Sequence, residues 1–354
     1  MNEYINYKER FSTAITRLRF PLIFFIIMLH CYSVQRLVGD HETYFKVLYP
    51  FSLWLGETGV PAYFFISGYL FFLSKKNYGQ KLKDRIHTLL IPYILWNLLL
   101  LLFYLVAYAL GHPLVIFKTN IAEYNWIDYL RVFWDRGEFD NGNSAPILCP
   151  LWYIRNLFVM SLLSPILYYI IRYVREVFLI AVAVWWMMIN NNAFTPQTIF
   201  FFSLGAYFSI FKINPLKMVV EWKGLFLILT CIFAIADIFV HVAIKTPFNL
   251  KIHRMSLLLN IPALLLIADK TNISGNNKPR SFLSQAAFIV FCIHYPIVLV
   301  LRKICIIAFA NATDAIHIPL YFLSVILATT LSLGFYWVLD RYFPKAKSIL
   351  TGNR

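Results

Sequence analysis

Phe20-Pro21-Leu22-Ile23-Phe24-Phe25-Ile26-Ile27-Met28-Leu29 is an unbroken apolar run that ends on an imidazole, His30, and its reading decides the fold. A run of that kind, extended to residues 20–37, approaches the roughly 20 residues that cross a bilayer as a helix. Similar runs recur near 56–74, 88–110, 147–171, 177–190, 198–211, 224–241, 255–268, 284–301 and 316–340. The composition agrees, with 60% apolar, 18% aromatic and only 14% charged residues. Soluble domains carry about 25% charged residues. Intrinsic disorder, a fibrous repeat and a small secreted scaffold are excluded together. The expected fold is all-α, a polytopic integral membrane helical bundle of about ten transmembrane helices. It forms one domain over residues 1–354, with a polar segment at 1–19 and a long connection at 111–146.

The formal charge of +15 does not need nucleic acid to explain it. With the N-terminus inside, the cytoplasmic segments hold 21 Lys and Arg and the outer segments ten. That bias follows the positive-inside rule and predicts both termini in the cytoplasm, N-in and C-in. Residues 1–19 are then a cytoplasmic segment and 111–146 an outer loop, acidic and aromatic, with the turn-prone run Asp140-Asn141-Gly142-Asn143-Ser144. Acid and aromatic residues together suit a hydroxyl-rich ligand such as a sugar, or equally a solvated loop with an amphipathic surface helix. The five cysteines, odd in number and without a Cys-x-x-Cys pair, read as small core residues. No cleavable signal peptide and no internal repeat is expected.

Ionisable groups inside spans are costly unless paired or hydrated, so each marks a candidate site. Four stand out. His30 lies about 15 Å in from the cytoplasmic end of its run. His294 sits at similar depth in Phe291-Cys292-Ile293-His294-Tyr295-Pro296. Arg155 falls in Leu151-Trp152-Tyr153-Ile154-Arg155-Asn156, and Glu57 in Gly56-Glu57-Thr58-Gly59 at an outer entry. Each alone has a bland reading, as a satisfied core histidine, a snorkelling arginine or a helix cap; together they favour a buried polar site. A cytoplasmic segment, Lys75-Lys76 and then Lys81-Leu82-Lys83-Asp84-Arg85, suits the phosphates of a nucleotide-like ligand or serves as an ordinary positive-inside loop. No P-loop, dinucleotide fingerprint, HExxH or Cys/His spacing is present, so no metal is expected.

These residues resemble the membrane acyltransferase 3 family, whose bacterial members O-acetylate cell-surface glycans. Arg19 and His30, separated by ten residues, reproduce the family's first-span motif. Gly59-Val60-Pro61-Ala62-Tyr63-Phe64-Phe65-Ile66-Ser67-Gly68-Tyr69-Leu70 is similar to its second-span signature. The basic segment followed by Ile91-Pro92-Tyr93, and the runs around Arg155 and His294, are similar to further family segments. The family often shows Arg-x-x-Arg on that cytoplasmic loop, where this chain offers Lys81, Lys83 and Arg85. The resemblance implies transfer of an acyl group, acetyl or else succinyl, from acyl-CoA (acetyl-CoA as donor substrate). The acceptor would be a hydroxyl of a surface polysaccharide or lipid-linked sugar, and the site the bacterial inner membrane. It implies that Lys81, Lys83 and Arg85 bind the donor and that His30 is the general base. Arg19 or Arg155 would stabilise the oxyanion or hold the donor, His294 would assist, and Glu57 would complete the polar site. Two other classes compete: a transporter or flippase of a glycan or lipid-linked sugar, and a scaffold subunit of polysaccharide assembly. Dependence on acyl-CoA separates the first reading from both.

Overall fold

The computed structural model describes residues 2–32, 41–111, 121–135, 144–190, 194–244, 248–270, 282–309 and 311–353. Sixteen α-helices follow one another, beginning with α1 (Asn2–Cys31), α2 (Glu42–Tyr49), α3 (Gly59–Leu73), α4 (Tyr78–Arg85) and α5 (Ile91–Ala109). Next come α6 (Trp126–Arg131), α7 (Trp152–Leu162), α8 (Ser164–Val174), α9 (Glu176–Met188), α10 (Phe194–Ile210) and α11 (Pro215–Glu221). The series closes with α12 (Lys223–Phe239), α13 (Asn249–Lys270), α14 (Phe282–Phe309), α15 (Asp314–Tyr342) and α16 (Pro344–Thr351). No strand occurs among the described residues. In hydrocarbon every backbone group must be satisfied within its own segment, which is why apolar runs of this length become helices.

Six described segments are long and apolar enough to cross a bilayer: Asn6–Cys31, Tyr78–Ala109, Lys223–Ala243, Asn249–Lys270, Phe282–Phe309 and Asp314–Tyr342. Two bent pairs, α7 with α8 (69°) and α10 with α11 (92°), raise the number to eight if each pair is one span. The other two expected spans, 56–74 and 177–190, are helices of 15 and 13 residues, α3 and α9. Both fall short of the roughly 20 residues a full crossing needs. The segment 1–19 is not separate from the first span, because from Asn2 onward it is the same helix. Residues 33–37 of the expected first span, and 112–120 and 136–143 of the outer loop, including most of its turn-prone run, lie outside the described residues.

The run 147–171 departs most from expectation. It does not enter as a helix: residues 145–155 are buried without interruption, yet the backbone reaches Cys149 before a single 3₁₀ turn and Trp152 before α7. Irregular backbone is tolerated at membrane depth only when protein covers it. Here the cover is α5, where Asn97 donates through Nδ2 to the Tyr93 carbonyl (2.7 Å) and accepts through Oδ1 from the Leu148 N–H (3.1 Å). The Tyr93 hydroxyl donates to the Phe133 carbonyl, and the Ile147 N–H to Val132 (2.7 Å). The run then breaks again at Ser164-Pro165, since proline lacks the N–H and crowds the carbonyl four residues back.

The tightest helix pair is α3 with α10. A Cβ at Gly68 would stand 2.0 Å from the Phe202 carbonyl oxygen, and one at Gly205 2.0 Å from that of Phe65. Small residues that let backbones meet are the usual adhesive between membrane helices. One end of the bundle, here the basic end, gathers five elements. Arg10 of α1 forks onto Asp269 at the end of α13 (2.6 and 3.0 Å), and Phe11 packs edge-on against Tyr69 of α3 at 4.9 Å. Trp96 of α5 donates to the Leu350 carbonyl of α16 (3.1 Å). The opposite end joins His41 to Asp314 at the start of α15 (2.5 Å).

Candidate active site

At the basic end a cavity of about 500 Å³ opens between the end of α3, α4 with the turn after it, and α16. Lys81, Arg85, His87, Thr88, Gly352 and Asn353 line it over a floor of Leu70 and Phe71. Asn77 begins α4 with a reciprocal cap to Gln80, which fixes the helix's rotation. Residues four apart share a helix face and residues two apart do not. Lys81 and Arg85 therefore both lie over the Phe71 ring, at 5.1 and 5.5 Å, whereas Lys83 is exposed and outside the lining. Of the three expected donor-binding cations, the structure brings two together. Gly352 closes the wall in a left-handed conformation (φ 64°), so close that a Cβ would stand 2.1 Å from the His87 carbonyl oxygen.

His30 and His294 meet with ring centroids 5.3 Å apart, and Tyr295 stands edge-on to His30 at 5.1 Å. His294 lies near the middle of the 28-residue α14, which puts the pair at mid-bundle although His30 is in the last turn of α1. Thirteen residues separate Arg17, which donates to the Ala268 carbonyl at the basic end, from His30, or about 20 Å of helix. His294 is fully buried and its Nδ1 lies 3.1 Å from the Val290 carbonyl, so that nitrogen is the donor. Its Nε2 then carries the lone pair of the neutral ring and has no hydrogen-bond partner among the described residues.

Arg19 precedes His30 by eleven residues, three turns and about 20° of rotation, so both share one face of α1 about 16 Å apart. The Tyr63 hydroxyl donates to the Arg19 carbonyl. From there rings lead to the imidazoles: Tyr63 to Tyr153 (5.9 Å), Tyr153 to Phe291 (5.9 Å) and Phe291 to His294 (6.0 Å). Arg85 interacts electrostatically with that same Tyr153. A run of packed rings thus joins Tyr63 to His294, and Tyr153 in the middle of it is the ring that Arg85 of the cavity interacts with.

Arg155 and Glu57 do not join the pair. Arg155 holds the buried segment in place, donating to the carbonyls of Trp134 and Ser144 (3.0 Å) and to Asn156 Oδ1 (3.0 and 3.1 Å), with its guanidinium 4.6 Å over the Trp134 ring. Glu57 belongs to a second cluster. Its Oε2 is 3.1 Å from His253 Nε2, and His253 Nδ1 is 2.8 Å from Asp237 Oδ2. The Tyr49 hydroxyl donates to Asp237 Oδ1 (2.9 Å), and His241 stacks on Tyr49 at 4.4 Å. The sequence reading missed Asp237 and His253. Asp237 sat inside the expected span 224–241 and the same test of ionisable groups in spans would have found it. Among the described residues no group of three or more His, Cys, Asp or Glu is placed to hold a metal ion.

The chain belongs to the membrane acyltransferase 3 family. Its profile, described as acyltransferase domain, matches residues 13–337. Among named relatives, the chain is 26% identical over 329 residues to the succinoglycan biosynthesis protein ExoH of Rhizobium meliloti (strain 1021). That match covers 85% of this chain and 82% of ExoH. No solved structure matches the chain.

Proposed function

We propose that the protein transfers an acyl group, acetyl or succinyl, from cytoplasmic acyl-CoA to a hydroxyl of a surface polysaccharide or lipid-linked sugar. It would do so in the bacterial inner membrane, as a bundle of about ten spans with both termini inside; the number ten requires the short helices α3 and α9 to cross in addition to the six long helices and two bent pairs. The placement of α16 and the first half of α1 at the same end of the bundle supports the sidedness. Membership of the acyltransferase family supports the reaction class, and the likeness to a succinoglycan biosynthesis protein supports a glycan acceptor.

The observation that carries the reading is the His30–His294 pair at mid-bundle, packed on Phe291 and Tyr153, with Tyr153 in electrostatic interaction with Arg85 of the basic cavity. Lys81 and Arg85 hold the CoA phosphates, and the pantetheine arm runs inward along Tyr153 and Phe291. His30 accepts the proton of the acceptor hydroxyl as its oxygen attacks the thioester carbonyl. The carbon–sulfur bond breaks, and the CoA thiolate leaves with the proton that His30 carried. General-base help of this kind contributes about 10²–10⁴-fold. Arg19, exposed and about 16 Å along α1 from His30, lies too far from the reacting carbonyl to meet the oxyanion and instead adds positive charge for the donor. Arg155 is already engaged by backbone carbonyls and takes neither role.

Titration of the purified protein with acetyl-CoA, succinyl-CoA and free CoA tests the donor, with Lys81 and Arg85 neutralised in a second sample. Saturable binding that weakens in the variant is expected. Absence of any acyl-CoA binding by folded protein overturns the reading and returns attention to transport of a lipid-linked sugar.

A further inference from the structure

The Glu57 cluster is unlike an ordinary buried ion pair. Asp237 is fully buried and His253 nearly so, but Glu57 keeps 42% of its side chain exposed. Both imidazole nitrogens face carboxylate oxygens, so two hydrogen bonds in line require two protons shared among the three groups. The trio then keeps one net negative charge, which Arg254 offsets through its electrostatic interaction with Glu57. Arg254 is itself fixed, donating to the carbonyls of Trp186 and Ile189 (2.7 Å). Glu57 uses only Oε2 on His253; Oε1 has no hydrogen-bond partner among the described residues. The backbone that presents it is irregular: a π-helical stretch over Pro50–Leu55 and a 3₁₀ turn over Gly56–Thr58 join α2 to α3. Such interruptions recur at functional sites. This turn is wedged between the two histidine sites, with Gly56 pressed on Leu29 beside His30, and Thr58 bonded to Asn260 of α13 (2.9 Å).

We propose that Glu57, oriented by His253 and Asp237, is the station that binds the acceptor's hydroxyl groups. The inference rests on the acyl-transfer reading above. A carboxylate with one oxygen fixed and the other free accepts hydrogen bonds from a sugar hydroxyl, and a charged acceptor makes those bonds about twice as strong as neutral ones. His253 and Asp237 are positioning residues, because they act on the sugar only through Glu57. The ligand class is polyhydroxylated, a hexose unit, rather than a cation, since the cluster offers no metal-holding set among the described residues. The station lies one residue along from the Gly56–Leu29 contact, and Leu29 is the residue before His30.

The test uses membranes from a strain lacking the gene, complemented with the full chain or its variants. Two quantities are read on each preparation: binding of radiolabelled acetyl-CoA or succinyl-CoA, and alkali-labile ester on the surface glycan. Glu57→Gln and His253→Gln are expected to keep acyl-CoA binding within about twofold while ester falls tenfold or more. Glu57→Asp should recover part of the ester, a rescue that mere structural damage would not allow. Adding Asp237→Asn to Glu57→Gln should cost little more, as expected of groups acting in series. Ester unchanged in Glu57→Gln, or acyl-CoA binding lost together with ester, overturns the inference. Wild-type membranes that bind neither acyl-CoA and restore no ester overturn the acyl-transfer reading, and the inference with it.

Discussion

Two histidine sites lie on either side of the Gly56-Glu57-Thr58 turn, and they are built in opposite ways. His253 stands between two carboxylates, both ring nitrogens committed. His294 donates one nitrogen to a backbone carbonyl, leaves the other with a lone pair, and faces the ring of His30 across 5.3 Å. A base must have a lone pair to offer, and a ring held on both sides by carboxylates has none. The comparison is consistent with the proposed proton transfer on the His30 side and the proposed ligand holding on the Glu57 side. A sequence that shows only eight histidines could not make that division.

The largest expected effect tests the first half of the comparison. His30→Ala should lower acyl transfer by about 10²–10⁴-fold while acyl-CoA still binds, read by single-turnover assay beside equilibrium binding. Near-normal turnover would break it. His294→Phe keeps an aromatic ring in the same space but removes both nitrogens. Its expected cost is about 10–100-fold in turnover with donor affinity unchanged, the size of effect that follows from a mispositioned catalytic group.

The next predictions sharpen the separation of these sites from the donor cavity. Arg85→Ala should weaken acyl-CoA binding roughly tenfold, about the 1.4 kcal/mol of one charge-assisted contact. Lys83→Ala, two residues away on the exposed face, should leave Kd unchanged. Equal losses from both would mean that a diffuse positive field, rather than the Phe71-backed pair, attracts the donor. Gly352→Val should weaken donor binding to a similar degree by pushing α16 off the His87 carbonyl. The smallest effect is on stability: Arg155→Lys keeps the charge but loses the forked bonds to Trp134 and Ser144. The loss should be about 1–3 kcal/mol, measured by thermal unfolding in detergent, with donor affinity intact.

Much of this was legible in the residues. The apolar runs announced a helical membrane bundle, and His30 announced the imidazole that meets His294. His294 was legible because an imidazole amid Phe291, Cys292 and Ile293 has few other reasons to be there. What stayed hidden has a common physical cause: its partners are backbone. Arg155 is held by carbonyls, and the descent of residues 145–155 is held through its own backbone amides, Leu148 on the Asn97 side chain and Ile147 on the Val132 carbonyl, and main-chain groups are carried by every residue and marked by no pattern. The break at Ser164-Pro165 was not legible either, since Pro262, Pro296 and Pro319 sit in similar runs that stay unbroken helices. His253 was hidden differently, because it falls just before its apolar run and reads as part of a connection until Asp237 is seen beside it.

The mutual contact of Gly68 and Gly205 also says where this molecule cannot bend. With each α-carbon seated against the other helix's carbonyl, α3 and α10 cannot slide past one another or roll without a collision of main chains. They behave as a single beam. Any motion that admits a sugar from one face and a thioester from the other must therefore pivot around that beam, with the moving seam among its neighbours.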